Sequence, residues 1–124
     1  MKTTCRKSYT FSAAHWVPAV PDGHKCRNMH GHTFRVTVEV GGYNEDSGMC
    51  IEFGILDGIV GEVIGKLDHT TLNNNKALDV PTAEVLSRYI LGRLTGSIPV
   101  LSVTVREGEG GEATTRNEAP HDPR

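Results

Sequence analysis

The chain has 124 residues, with 13 Lys and Arg against 15 Asp and Glu and a formal net charge of −2. That length suits one domain, and it buries roughly two-thirds of the unfolded surface, so neither a metal nor a disulfide is needed merely to fold. The charge argues against a nucleic-acid or anionic-membrane partner, and no apolar run is long enough to span a bilayer. No signal-peptide core follows Met1, and the cysteines (Cys5, Cys26 and Cys50) are odd in number. The expectation is a cytoplasmic, reducing compartment with free thiols.

Lys7 to Ala14, KSYTFSAA, alternates, with Tyr9, Phe11 and Ala13 on one face and Ser8, Thr10 and Ser12 on the other. This predicts a half-buried strand, and His15 continues its apolar face. VPAVPDGHKCRNM reads as a loop, because it carries two prolines and an Asp-Gly pair. HTFRVTVEV gives the clearest strand signal: Phe34, Val36, Val38 and Val40 oppose Arg35, Thr37 and Glu39. GGYNEDSG is a turn, and MCIEF reads as a short strand or extended entry.

From Gly54 to Leu67 the period becomes helical, through Ile55, Leu56, Ile59, Val60, Val63, Ile64 and Leu67. Interior glycines each cost up to about 1 kcal/mol of helix propensity, so this helix must lean on tertiary packing. DHTTLNNNKALDVP is a polar connection. Thr82 after Pro81 is the expected N-cap of a second amphipathic helix through Val85, Leu86, Tyr89, Ile90 and Leu94. IPVLSVTVRE alternates again, GEGGEATTR closes a last hairpin, and the polar tail is expected to be disordered. Strands segregated from helices predict an α+β fold, a four-stranded antiparallel sheet with both helices on one face.

HKCRNMHGH concentrates nitrogen and sulfur donors. Side chains two apart in an extended segment point the same way, so His30 and His32 share a face with Phe34. If the first two strands pair, His15 joins them at one end of the sheet. Three neutral imidazoles suit zinc, with a fourth position open to water or substrate. Cys26, four residues before His30, has two readings. It is a fourth ligand closing a structural Cys-His₃ site, or a thiolate base or nucleophile standing off the metal. Asp68 beside His69 can fix a tautomer and raise basicity, as a proton relay requires. Cys5 and Cys50 read as small core residues.

FSAAH, HKC followed by HGH, LDHTTLN, PTAE and a late strand ending in glutamate occur in this order in the 6-pyruvoyltetrahydropterin synthase family. From about Tyr9 to Glu107 the chain resembles that family. The spacing of Cys26 to His30 resembles the bacterial 6-carboxytetrahydropterin synthases of the queuosine and deazapurine pathway. The resemblance implies the T-fold, in which sheets join into a trimeric barrel and trimers stack as a hexamer. It implies a single catalytic domain over residues 1–117, followed by a tail at 118–124.

The same resemblance carries over His15, His30 and His32 as zinc ligands and Cys26 as general base. Asp68 and His69 become the proton relay, delivered from a neighbouring subunit. Glu107 would anchor the pterin, and Thr82 and Glu84 would lie near its pocket. The implied substrate is 7,8-dihydroneopterin triphosphate, and the products are 6-carboxytetrahydropterin, acetaldehyde and triphosphate. A pyruvoyl-type or other dihydropterin lyase is the alternative. Glu52 in CIEF and Gly108 after Glu107 depart from the residues usual in relatives.

Overall fold

The computed structural model describes residues 1–118. Strands β1 (Cys5–His15), β2 (His30–Val40), β3 (Val100–Glu107) and β4 (Glu112–Arg116) form one antiparallel sheet in the order β1-β2-β3-β4. Helices α1 (Phe53–Gly65) and α2 (Ala83–Leu94) lie between β2 and β3 in sequence. The α+β reading therefore stands, GEGGEATTR included as the final hairpin. The tail reading falls, from residue 119 onward, outside the described residues.

Alternation fixes the register. Phe11 pairs with Phe34, Ala13 with His32 and His15 with His30. The Phe11 and Phe34 rings stack at 5.0 Å. Both helices cover the face bearing these rings. Asp57 of α1 accepts from the Tyr9 hydroxyl of β1 at 2.8 Å, and Ser87 of α2 hydrogen-bonds Thr115 of β4 at 2.7 Å. Val36, Val38, Val103, Val105, Leu86 and Ile90 are fully buried between the layers. Burying each such side chain contributes about 1.5–3 kcal/mol. The other face carries the Ser8–Thr37 and Thr104–Thr114 hydroxyl pairs.

β2 begins at His30, so both histidines stand at the start of the strand, as their shared parity with Phe34 predicts. The region around α1 differs from the sequence reading. Of its two readings, MCIEF takes the extended entry and not the strand: Met49 makes one bridge to Asn44, and Glu52 is the N-cap of α1, its carboxylate accepting from the Gly54 N–H. A short apolar run before a helix looks like a strand, but the capping carboxylate starts the helix instead. Finally, α1 buries only Leu56, Val60 and Ile64, one narrow stripe, and leaves Ile55 exposed. Leu67 is buried just beyond its end.

Cys5 and Cys50 are partly buried and pack against the core rather than within it, and all three cysteines are free. No helix among the described residues is long and apolar enough to cross a membrane.

Candidate metal centre and active site

The end of the sheet where β1 finishes and β2 begins brings His15, His30 and His32 together. Each offers one ring nitrogen, and these nitrogens lie within 4.8 Å of one another. The ring centroids are 4.6 Å (His15–His30), 4.8 Å (His30–His32) and 5.1 Å (His15–His32) apart. Phe34 floors the group, its centroid 5.6 Å from both His15 and His32.

The tautomers follow from the acceptors. His15 Nδ1 lies 2.6 Å from the carbonyl of Pro81, and His30 Nδ1 lies 2.7 Å from the carbonyl of Asn28. A carbonyl only accepts, so both Nδ1 atoms carry the proton and both Nε2 lone pairs are free. His15 is 1% exposed, and its Nε2 is a buried polar atom without a partner. Such an atom costs about 1–3 kcal/mol unless something binds it. A divalent cation would satisfy it, so the donor set fits a metal held by three neutral imidazoles. Burial, ahead of the neighbouring imidazoles, pushes the His32 pKa down against the raising effect of Glu107, which favours the neutral ligand form.

β1 is an edge strand of the sheet, and residues 68–73 occupy that edge here. Asp68 Oδ1 accepts from the Ser12 N–H at 2.9 Å, and the His69 N–H donates to the Ser12 carbonyl at 2.6 Å. The Ala14 N–H donates to the Thr70 carbonyl at 3.0 Å. The Asn73 side-chain amide then accepts from the Trp16 N–H and donates to the Trp16 carbonyl, both at 2.9 Å. This segment fixes β1 right up to His15. It also holds His69 at φ 59°, a left-handed conformation that costs a non-glycine residue about 1–3 kcal/mol. His69 Nδ1 lies 3.0 Å from Asp68 Oδ2. The Ser12 N–H first, and His69 as well, hold the Asp68 carboxyl below its usual range.

A cleft of about 540 Å³ is lined by Lys25, Cys26, His30, His32, Glu107 and Glu109. Cys26 therefore stands in the same space as two of the imidazoles, but the cluster of convergent donors comprises the histidines without it. Glu107, at the end of β3 and opposite Phe34, places Oε2 3.9 Å from His32 Nε2. His69 lines an adjoining cavity of about 600 Å³, which shares Gly31 and His32 with the first.

Thr82 and Glu84 are placed differently. The Thr82 hydroxyl accepts from the Val85 N–H at 3.2 Å and caps α2, while Glu84 is exposed in the first turn of that helix. Neither lines the cleft or the adjoining cavity. Sequence reasoning missed Asn73, and it missed the carbonyls of Pro81 and Asn28. The Asn-rich run LNNN was the only trace of the first.

The sequence profile of the 6-pyruvoyl tetrahydropterin synthase family matches residues 4–118. The chain belongs to this family. Among its relatives, a protein of Archaeoglobus fulgidus provisionally named 6-carboxy-5,6,7,8-tetrahydropterin synthase is 41% identical over 104 residues, covering 82% of this chain and 85% of that one. A Synechocystis protein named 6-carboxy-5,6,7,8-tetrahydropterin synthase is 34% identical, covering 71% of each chain. A Pyrococcus furiosus protein named dihydroneopterin monophosphate aldolase is also 34% identical, covering 73% of each. The fold matches the solved Caenorhabditis elegans 6-pyruvoyl tetrahydropterin synthase with a TM-score of 0.83 and 24% identity, covering 94% of this chain and 96% of that one. The fold is thus the T-fold of the family.

Proposed function

We propose that this protein is a zinc-dependent 6-carboxytetrahydropterin synthase, a carbon–carbon lyase acting on 7,8-dihydroneopterin triphosphate. With one water consumed, its products would be 6-carboxy-5,6,7,8-tetrahydropterin, acetaldehyde and triphosphate, feeding queuosine or a related deazapurine. One observation carries the reading: a buried, unpartnered imidazole nitrogen in a three-histidine group, two of whose members share a cleft with a thiol and a carboxylate. The names of the relatives support it.

Zinc, when bound by His15, His30 and His32, supplies Lewis acidity toward the substrate's side-chain hydroxyls. The chain's own groups do the rest. Glu107 accepts from the paired N–H groups of the pterin's guanidine-like edge, a charge-assisted contact. Cys26 as thiolate takes a carbon-bound proton made acidic by the adjacent ring. Asp68 keeps His69 oriented and basic, and His69 moves protons to and from the side-chain oxygens.

The relay is contributed between subunits of a homohexamer built from barrel trimers. β1 and β4 are the two edge strands of the sheet, and β4 together with the part of β1 before Ser12, which residues 68–73 leave uncovered, offers strand pairing for that assembly. Residues 1–117 act as one catalytic domain, in the cytoplasm.

The Pyrococcus furiosus relative favours a second reading, aldol cleavage of a dihydroneopterin phosphate. Incubation of the zinc-loaded protein with 7,8-dihydroneopterin triphosphate separates the two. Acetaldehyde with a carboxypterin is expected. A hydroxymethylpterin would favour the aldolase, and a pyruvoyl pterin the animal-type reaction. Cys26→Ala is expected to keep zinc and lose turnover by at least about 100-fold. Loss of zinc with the thiol would favour a closed Cys-His₃ structural site.

A further inference from the structure

His24 and Arg27 have no part in the chemistry above, yet both act on the loop that carries Cys26. Between β1 and β2 that loop contains one short 3₁₀ turn, Lys25–Arg27, and no residue of the turn is buried. Apolar packing therefore does not hold the thiol in place. Polar contacts do.

His24 fills the capping role usually taken by Ser, Asp or Asn, its Nδ1 accepting from the Cys26 N–H at 3.1 Å. Arg27 reaches across the loop. One of its guanidinium nitrogens donates to the carbonyls of Pro18 (2.8 Å) and Val20 (2.9 Å). Its Nε lies 3.4 Å from Asp22 Oδ1. The Cys26 carbonyl accepts from the Val17 N–H at 2.7 Å, which ties the turn to the exit of β1 just beyond His15. At the far end of the turn, the Asn28 N–H donates to the Lys25 carbonyl at 3.1 Å. The Asn28 carbonyl in turn receives the Nδ1 proton of His30. The turn has two outputs: it presents the thiol to the cleft, and it supplies the carbonyl that fixes the His30 tautomer.

We propose that Arg27, assisted by the His24 cap, is a positioning residue that sets Cys26 and His30 as one unit. The inference rests on the reading of Cys26 as base and His30 as metal ligand. Releasing the turn displaces the thiol and removes the acceptor that orients the imidazole, so proton abstraction and metal affinity fall together. The partner of a ligating histidine typically accounts for about 10- to 100-fold in metal affinity. A misplaced reacting group costs on the order of 100-fold in rate.

The test compares Arg27→Met, Arg27→Lys, His24→Ala, His24→Asn and Cys26→Ala in the full chain. Metal is stripped with a chelator, and cobalt(II) is titrated back by its absorption spectrum. Alkylation of Cys26 by iodoacetamide is followed by mass spectrometry, and kcat and KM are measured on the zinc form. For Arg27→Met, the metal Kd is expected to rise about 10-fold or more. Its kcat is expected to fall by about 10-fold or more with KM little changed. Alkylation of Cys26 quickens as the turn opens.

His24→Ala shows the same pattern more weakly, and His24→Asn, which retains a capping oxygen, restores it. Cys26→Ala keeps the wild-type metal Kd, so the loss in Arg27→Met does not run through sulfur. Arg27→Met with both quantities within twofold of wild type would overturn the proposal, and so would a change in one without the other. If Arg27→Met does not fold, Arg27→Lys decides by the same criteria, since it keeps the charge but not the planar reach. Metal binding and alkylation need no substrate, so they judge the positioning role even if the wild type fails to turn over the pterin.

Discussion

Replacing His15 by leucine should separate metal binding from folding. In the metal-free protein the imidazole makes one hydrogen bond, to the Pro81 carbonyl, and leaves Nε2 buried without a partner. Leucine strands the carbonyl, at a cost of about 1–3 kcal/mol, and removes the orphaned nitrogen, a gain of the same size. The metal-free variant is therefore expected to lie within about 1 kcal/mol of the metal-free wild type. The loaded protein differs. At free zinc of about 100 times the Kd, binding stabilises the wild type by about 2.7 kcal/mol. For a chain of this size that raises Tm by roughly 10 °C. The assay is thermal unfolding by circular dichroism in chelator and in excess zinc. Wild type should show the rise, and His15→Leu should show almost none. The reasoning fails if zinc does not move the wild-type Tm, or if the variant keeps the full rise. It fails equally if the variant in chelator loses more than about 3 kcal/mol, since the orphaned nitrogen then offsets nothing.

Glu107→Gln removes the charge from the pterin contact and is expected to lower kcat/KM by roughly 10- to 100-fold, mostly through KM. An unchanged KM in steady-state assays would remove Glu107 from the substrate. Asp68 has its carboxyl pKa depressed by the Ser12 N–H and by His69, so its contribution to stability is complete above the unfolded value near 4. That contribution is lost as pH falls through the lower folded value. Melting curves of wild type and Asp68→Asn should therefore differ at neutral pH and converge in acid, and a gap that widens in acid would contradict this. Thr82→Ala should lower stability by about 1 kcal/mol through the lost cap. KM should stay at the wild-type value, and a raised KM would instead put the hydroxyl on the pterin.

The sheet was legible because its alternation is strict. Tyr9, Phe11 and Ala13, and then Phe34 to Val40, declare one buried face, and strand parity alone puts His15, His30 and His32 on it. Thr82 was legible as a cap because a hydroxyl after proline and before an apolar helical period has few other uses. The start of α1 was not, because Cys50 and Ile51 look like a strand when read by hydropathy. Glu52 is an uncommon N-cap, reaching Gly54 with a longer side chain than aspartate has. The exposure of Ile55 was hidden too, since helical period gives the apolar side of a helix but not how wide a stripe its neighbours will cover.

In the site, the ligands were legible and their supports were not, for one physical reason. A histidine announces itself by type, whereas the groups that orient it are the carbonyls of Pro81 and Asn28, and every residue carries a carbonyl. Those two contacts span very different distances along the chain. Asn28 is a near neighbour of His30 and comes with the local turn, but Pro81 lies 66 positions from His15 and meets it only through the tertiary fold. The 68–73 segment carries Asp68, His69 and the Asn73 amide that clamps Trp16. The stretch that bears the relay thus fixes the backbone on either side of His15, while Pro81 orients its ring. A perturbation that lifts this segment from the strand edge should therefore disturb metal and relay together, and His32 and His69 already line one cavity.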